Sequence, residues 1–195
     1  MKSKILMLIG SLILVSAFFV PLWTIDLIAP QYPEGLGLYI HLNKIEGHKE
    51  GDLQSINGLN HYIGMKEIKP ESIPELTIIP YFMYFMIALG LVTVVFNKKW
   101  MKMAWIGIFA VGGIVGLYDF YMWEYDYGHN LDPHAIIKIP GMNYQPPLIG
   151  YKQLLNFEAG SWPHFGFVII MVSVLLVLCS LYLDFKNDKK LSKVT

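Results

Sequence analysis

Tyr118–Gly150, YDFYMWEYDYGHNLDPHAIIKIPGMNYQPPLIG, is the stretch that packing alone explains least, and its reading decides how the rest of the chain is placed. It starts at the end of an apolar, helix-like run and gathers Asp119, Glu124, Asp126, His129, Asp132, His134 and Met142 among six tyrosines and tryptophans. Gly128 to Pro133 resists helix continuation, and Gly141 with Pro146-Pro147 prevents regular strand pairing downstream. A segment this aromatic is expected to fold into a cap rather than to stay disordered. Tyr and Trp at this position read as a membrane-interface belt. The carboxylates and histidines among them add the expectation of a ligand or metal site.

Outward from this stretch the chain is apolar in blocks. With 54% hydrophobic and 15% charged residues in a chain of 195, the blocks point to a membrane protein, since spanning the hydrocarbon takes about 20 mostly apolar residues. Four qualify by length: Ile5 to Trp23, Ile78 to Phe96, Trp100 to Trp123 and Phe165 to Phe185. The fold expected is mainly α, with four transmembrane helices in one integral membrane domain. Residues 24–77 and 124–164 are then exported loops that form a cap of short strands and helices.

Lysines set the orientation. Lys2, Lys4, Lys98, Lys99, Lys102, Lys186, Lys189, Lys190 and Lys193 flank the blocks on one side against two acids, Asp184 and Asp188; the remaining six Lys and thirteen acids fall to the exported side. Positive flanks stay cytoplasmic, so both termini are expected in the cytoplasm of a bacterial inner membrane. Val15-Ser16-Ala17 resembles a signal-peptidase site, but the apolar run continues through Phe18 and Phe19, which favours a retained anchor. All six histidines lie in the exported loops, while the single Cys179 sits in the last block and permits no intrachain disulfide. Arginine is absent, which disfavours nucleic-acid recognition.

Within the first loop, Tyr39 to Lys44 alternates as a short strand does, placing His41 on its surface. Asp52 offers an N-cap to a helix reading LQSINGLNHYIGMK. Asn57, His61 and Met65 recur every four residues and form one stripe on it, and a His and a Met one turn apart suit Cu(I). Asp119, close to the bilayer, is expected to pair with a polar group of the cap. In the second loop, GYKQLLNFEAGSWPHFG is expected to lie along the interface as a short amphipathic helix.

The phrases APQYPEGL, INGLNHYIGMK, YDFYMWEYDYGHNLDP and PGMNYQPPLIGYKQLLNF resemble a family of small membrane proteins of Bacteroidota encoded near the copper chaperone and other accessory genes of nitrous-oxide reductase. By gene neighbourhood alone, the resemblance implies copper-site maturation, with a copper chaperone, an ABC-type transporter or a periplasmic copper enzyme as partner. It transfers no ligand set.

The residues themselves support a copper-handling accessory protein whose exported face offers His61 and Met65 from one loop and His129 and Met142 from the other, with Asp126 balancing charge. The alternative is a structural subunit anchoring a respiratory assembly without its own metal. Haem is disfavoured because no histidine lies within the blocks, whereas Asp119 and Trp123 leave quinone contact open. A hydrolase or transferase using Asp119, Asp126 or His129 lacks any supporting motif.

Overall fold

The computed structural model describes residues 2–191, with side chains described for residues 2–188. Five α-helices and five strands follow one another in the described residues: α1 (Lys2–Ile13), β1 (Trp23–Ala29), β2 (Tyr32–Ile40), β3 (Ile45–Gly47), α2 (Asp52–Ile63), α3 (Glu75–Phe96), α4 (Lys99–His129), β4 (Gly150–Leu154), β5 (Phe157–Pro163) and α5 (Phe165–Leu191). The strands form one antiparallel sheet in the order β3-β2-β1-β5-β4. This corrects the expectation of a mainly α fold with four transmembrane helices, because the cap is organised on a five-stranded sheet and only three described helices, α3, α4 and α5, have the length and apolarity to cross a bilayer.

The first apolar block is divided. Its helix α1 stops after 12 residues, and Leu14–Phe18 tighten into a 3-10 turn in which Ser16 Oγ donates to Ile13 O. Pro21 then precedes strand β1. Hydropathy registers the length of such a block but not the change of backbone within it. α1 packs along α5 through a polar seam: Ser180 Oγ donates to Ser3 O (2.7 Å) and Ser173 Oγ to Gly10 O (2.5 Å). A Cβ on Gly10 would come within 3.1 Å of Val177, so the small residues permit the close approach. Met7, Leu14, Met83, Met86, Trp105, Phe109 and Val177 fill the bundle core. Outward-facing apolar residues such as Val95 (72% exposed) and Ile114 (69%) match a lipid environment.

Polar groups gather at the lysine-rich end of the bundle. Lys102 is fully buried, and its Nζ donates to Asp184 Oδ2 (2.5 Å), Ser3 Oγ (2.6 Å) and Asn97 Oδ1 (3.2 Å). Asn97, in the left-handed region (φ 49°), ends α3. One ammonium group thereby ties α1, α3, α4 and α5 together.

At the other end the sheet packs through Trp23, Ile25, Leu36, Leu38 and Ile45 against Ile56 of α2 and Tyr127 of α4. α4 runs six residues past Trp123, further than the apolar block suggested, and stops before Asn130. The segment 150–166, expected as an amphipathic helix, is instead the β4–β5 hairpin followed by the start of α5. Leu154 pairs with Phe157 across a two-residue loop in which Leu155 takes φ 56°. Small residues Ala159, Gly160 and Ser161 let β5 lie buried between β1 and β4. Their spacing suits a central strand, which the isolated polar positions Gln153, Asn156 and Glu158 concealed.

Three local expectations also change. His41 is not a surface strand residue: it follows β2, is buried, and lies 3.0 Å from Glu46 Oε1, while burial holds its imidazole below the usual histidine range. Asp52 is the first helical residue rather than the N-cap; Gly51 (φ 90°) occupies that place. Its buried carboxylate accepts instead from the amides of Gly37 (3.1 Å) and Lys49 (3.2 Å), fixing α2 to the sheet. Finally, α2 ends at Gly64 (φ 81°), where Gly64 N donates to His61 O and Met65 N to Asn60 O. This left-handed cap leaves Met65 outside the helix and breaks the stripe.

Candidate functional site

The outer end of α4 carries Phe120, Trp123, Glu124 and Tyr127, spaced as one helix face. Three of these are aromatic, and the face turns toward the sheet and α2. Glu124 is the exception: it is fully buried, and neither carboxyl oxygen has a hydrogen-bond partner among the described residues.

Glu124 borders a cavity of about 480 Å³ beneath the sheet. Ile25, Leu27 and Leu38 of the sheet, Ile56, Asn60 and Ile63 of α2, and Trp123 and Tyr127 of α4 form its walls. Such a volume falls within the usual range for small-molecule sites. Tyr144 also lines it, almost wholly buried with its hydroxyl unpartnered, and burial pushes that phenol above its ordinary range. Trp123 Nε1, beside Tyr127, makes no hydrogen bond of normal geometry. Tyr127 differs, since its hydroxyl donates to Glu67 O at 3.1 Å. Among the described residues no Lys or His lines the cavity. A buried carboxylate without a cation or donor costs several kcal/mol, so the carboxyl is either protonated or partnered from outside the chain.

The segment 131–149 closes the cavity as an irregular strap. Its amides are tied down at intervals: Asp132 N to Gly64 O (2.8 Å), Ile137 N to Tyr62 O (2.9 Å) and Tyr144 N to Gly128 O (2.9 Å). Gly128 is needed for the last contact, because a Cβ there would lie 2.3 Å from the backbone nitrogen of Gln145. We expect Gly128→Ala to lower stability by about 2 kcal/mol through this backbone clash. Denaturant unfolding checks it, and an unchanged midpoint would contradict the placement of the strap.

The two loops expected on the exported side thus meet, but not through the candidate ligands. His61 is exposed, its ring edge-on to Tyr62. His129 stacks on Tyr125, with Nδ1 3.0 Å from Tyr125 O, and Met142 is half-buried in the strap. Of the four proposed copper ligands, Met65 alone lines the cavity. Among the described residues no three His, Cys, Asp or Glu side chains converge as a metal site would require. Asn57 clamps the chain after α2, donating to Ile68 O (3.1 Å) and accepting from Ile68 N (2.8 Å).

Asp126 joins the loops by pairing with Lys66 (2.5 Å) and also accepts from Asn130. Asp132 accepts from the amide of His134 (2.7 Å), which holds its carboxyl below the usual range. Asp119 does not line this cavity; it borders a groove between α3 and α4 together with a second acid, Glu75. The sequence pattern brought in Glu124 only as one acid of the 118–150 stretch and Tyr144 only as one of its aromatics, neither with a role of its own. The signal for Glu124 was present, as a lone acid in an otherwise aromatic i, i+3, i+4, i+7 face; Tyr144 had none. No family model matches the chain, and no curated protein is detectably similar to it.

Proposed function

We propose that the protein is a membrane-anchored binding protein whose exported cap takes up a small cationic molecule, with Glu124 as counter-ion. The single observation behind this reading is the buried Glu124 carboxyl, without a partner among the described residues, on a cavity with aromatic side chains in its wall and no basic side chain among the described residues. Pairing with an ammonium group would relieve the cost of burying that carboxyl, and Tyr32, Trp123, Tyr127 and Tyr144 offer ring faces and edges to the same cation. The lysine-rich end of the bundle then faces the cytoplasm and the sheet faces the periplasm, in accord with the charge asymmetry.

The test uses benzyltrimethylammonium on protein in uncharged detergent. The cation is expected to raise the melting temperature of the wild type but not of Glu124→Gln, while benzoate raises neither. Equal shifts in wild type and Glu124→Gln would overturn the assignment. Copper handling is the competing reading, favoured by one observation, the Met65 thioether on the cavity wall. Cu(I) bound stoichiometrically and lost in Met65→Leu, without a response to the ammonium probe, would put that reading first.

A further inference from the structure

A second cavity, of about 240 Å³, runs between α3 and α4. It is lined by Phe82, Met83, Gly112, Gly113, Gly116 and Phe120, among other residues of the two helices, and by Glu75, Asp119 and His41. Trp123 lines both this groove and the cavity under the sheet. The indole therefore stands between a groove on two membrane-crossing helices and the chamber that holds Glu124.

We infer that the ligand of the Glu124 cavity is an ammonium-headed membrane lipid, its headgroup on Glu124 and one acyl chain laid past Trp123 along the α3–α4 groove. This rests on the binding role proposed above and names its ligand. Three observations carry it. First, the charges favour a headgroup that carries an ammonium over one of net negative charge, since no cation among the described residues pairs with Glu124 and two acids, Glu75 and Asp119, lie on the groove.

Second, the dimensions agree. Gly113 and Glu124 are separated by about 17 Å of helix rise, close to the roughly 15 Å of one leaflet's hydrocarbon. A lipid headed at Glu124 would thus reach Gly113 with its tail, just short of Gly112, where Phe82 of α3 closes the space. Third, the groove is open where a tail would lie: a Cβ placed on Gly113 or Gly116 meets no atom within 4 Å. An α3–α4 contact that needed these glycines for close packing would leave no such space.

The third observation also supplies variants expected to fold. Gly113→Leu and Gly116→Leu fill the groove and replace a poor helix former by a good one. The experiment reconstitutes full-length protein with equimolar phosphatidylethanolamine, phosphatidylcholine and phosphatidylglycerol of matched chains, then measures retained lipid by native mass spectrometry. Wild type is expected to keep one ammonium-headed lipid over phosphatidylglycerol by about tenfold or more, the worth of a charge-assisted hydrogen bond.

Glu124→Gln should lose both this preference and the benzyltrimethylammonium response, whereas Gly116→Leu should lose the lipid and keep the response to the small probe. Equal retention of all three lipids by the wild type, or undiminished retention by both leucine variants, would overturn the lipid assignment. If the small probe still acts through Glu124 in that case, the binding role stands with a soluble ligand; if it does not, both readings fail.

Discussion

Lys102→Met is expected to destabilise the protein by about 3 to 5 kcal/mol, the usual cost of removing one member of a buried ion pair. Lys102 is fully buried at the inner end of the bundle, and Asp184, its partner at 2.5 Å, is 12% exposed. Its three acceptors come from three other parts of the chain: Ser3, Asn97 and Asp184. Methionine fills nearly the same volume, so the loss measures the unpaired carboxylate and the Asn97 oxygen left without its donor rather than a void, while Ser3 Oγ keeps its bond to Ser180 O (3.1 Å). Lys102→Met/Asp184→Leu should recover much of the loss, because replacing both charges by apolar groups removes the uncompensated one. Mixed-micelle unfolding checks both variants. A single variant within about 1 kcal/mol of wild type, the range of an exposed pair, would contradict the buried network.

The same residue shows what was legible in the sequence and what was not. Lys102 was readable as a basic flank of an apolar block, because that pattern depends only on composition near the block. Its pairing with Asp184 brings together positions 82 residues apart, and no local pattern encodes that. The three long blocks emerged as helices because their apolar length exceeds what any local signal could break. Ile5 to Trp23 failed as a span because its end passes into a 3-10 turn and then a strand, a change of backbone that hydropathy does not register.

The β4–β5 hairpin was hidden for a related reason: β5 is buried between two neighbours, and its Ala-Gly-Ser centre follows the packing of the sheet rather than a period-two alternation. The aromatic and acidic stretch 118–150 is the one from which the last turns of α4 and the strap line the cavity. The acids assigned a role from that stretch were Asp119 and Asp126. Asp126 has a partner within the chain, Lys66, whereas the Glu124 carboxyl is buried without a partner among the described residues. A gap in hydrogen bonding is a property of the folded environment, which one sequence does not display.

Glu124→Met provides the sharpest contrast between a structural and a binding role. A carboxyl that served the fold would have partners, and its removal would leave them unsatisfied and lower stability. Glu124 has none among the described residues. Methionine is of similar size and suits the apolar wall formed by Ile25, Ile56 and Tyr127. The substitution therefore relieves an uncompensated burial and also deletes the counter-ion.

The measurement that bears most directly on this account is the unfolding free energy of delipidated Glu124→Met against delipidated wild type, in uncharged detergent and without added cation. The account predicts that the variant is more stable by roughly 1 to 3 kcal/mol, the cost of an unsatisfied buried polar group, and that it no longer responds to benzyltrimethylammonium. A variant less stable than wild type under these conditions would show that Glu124 has a structural partner in the folded chain, and would contradict the binding role assigned to it.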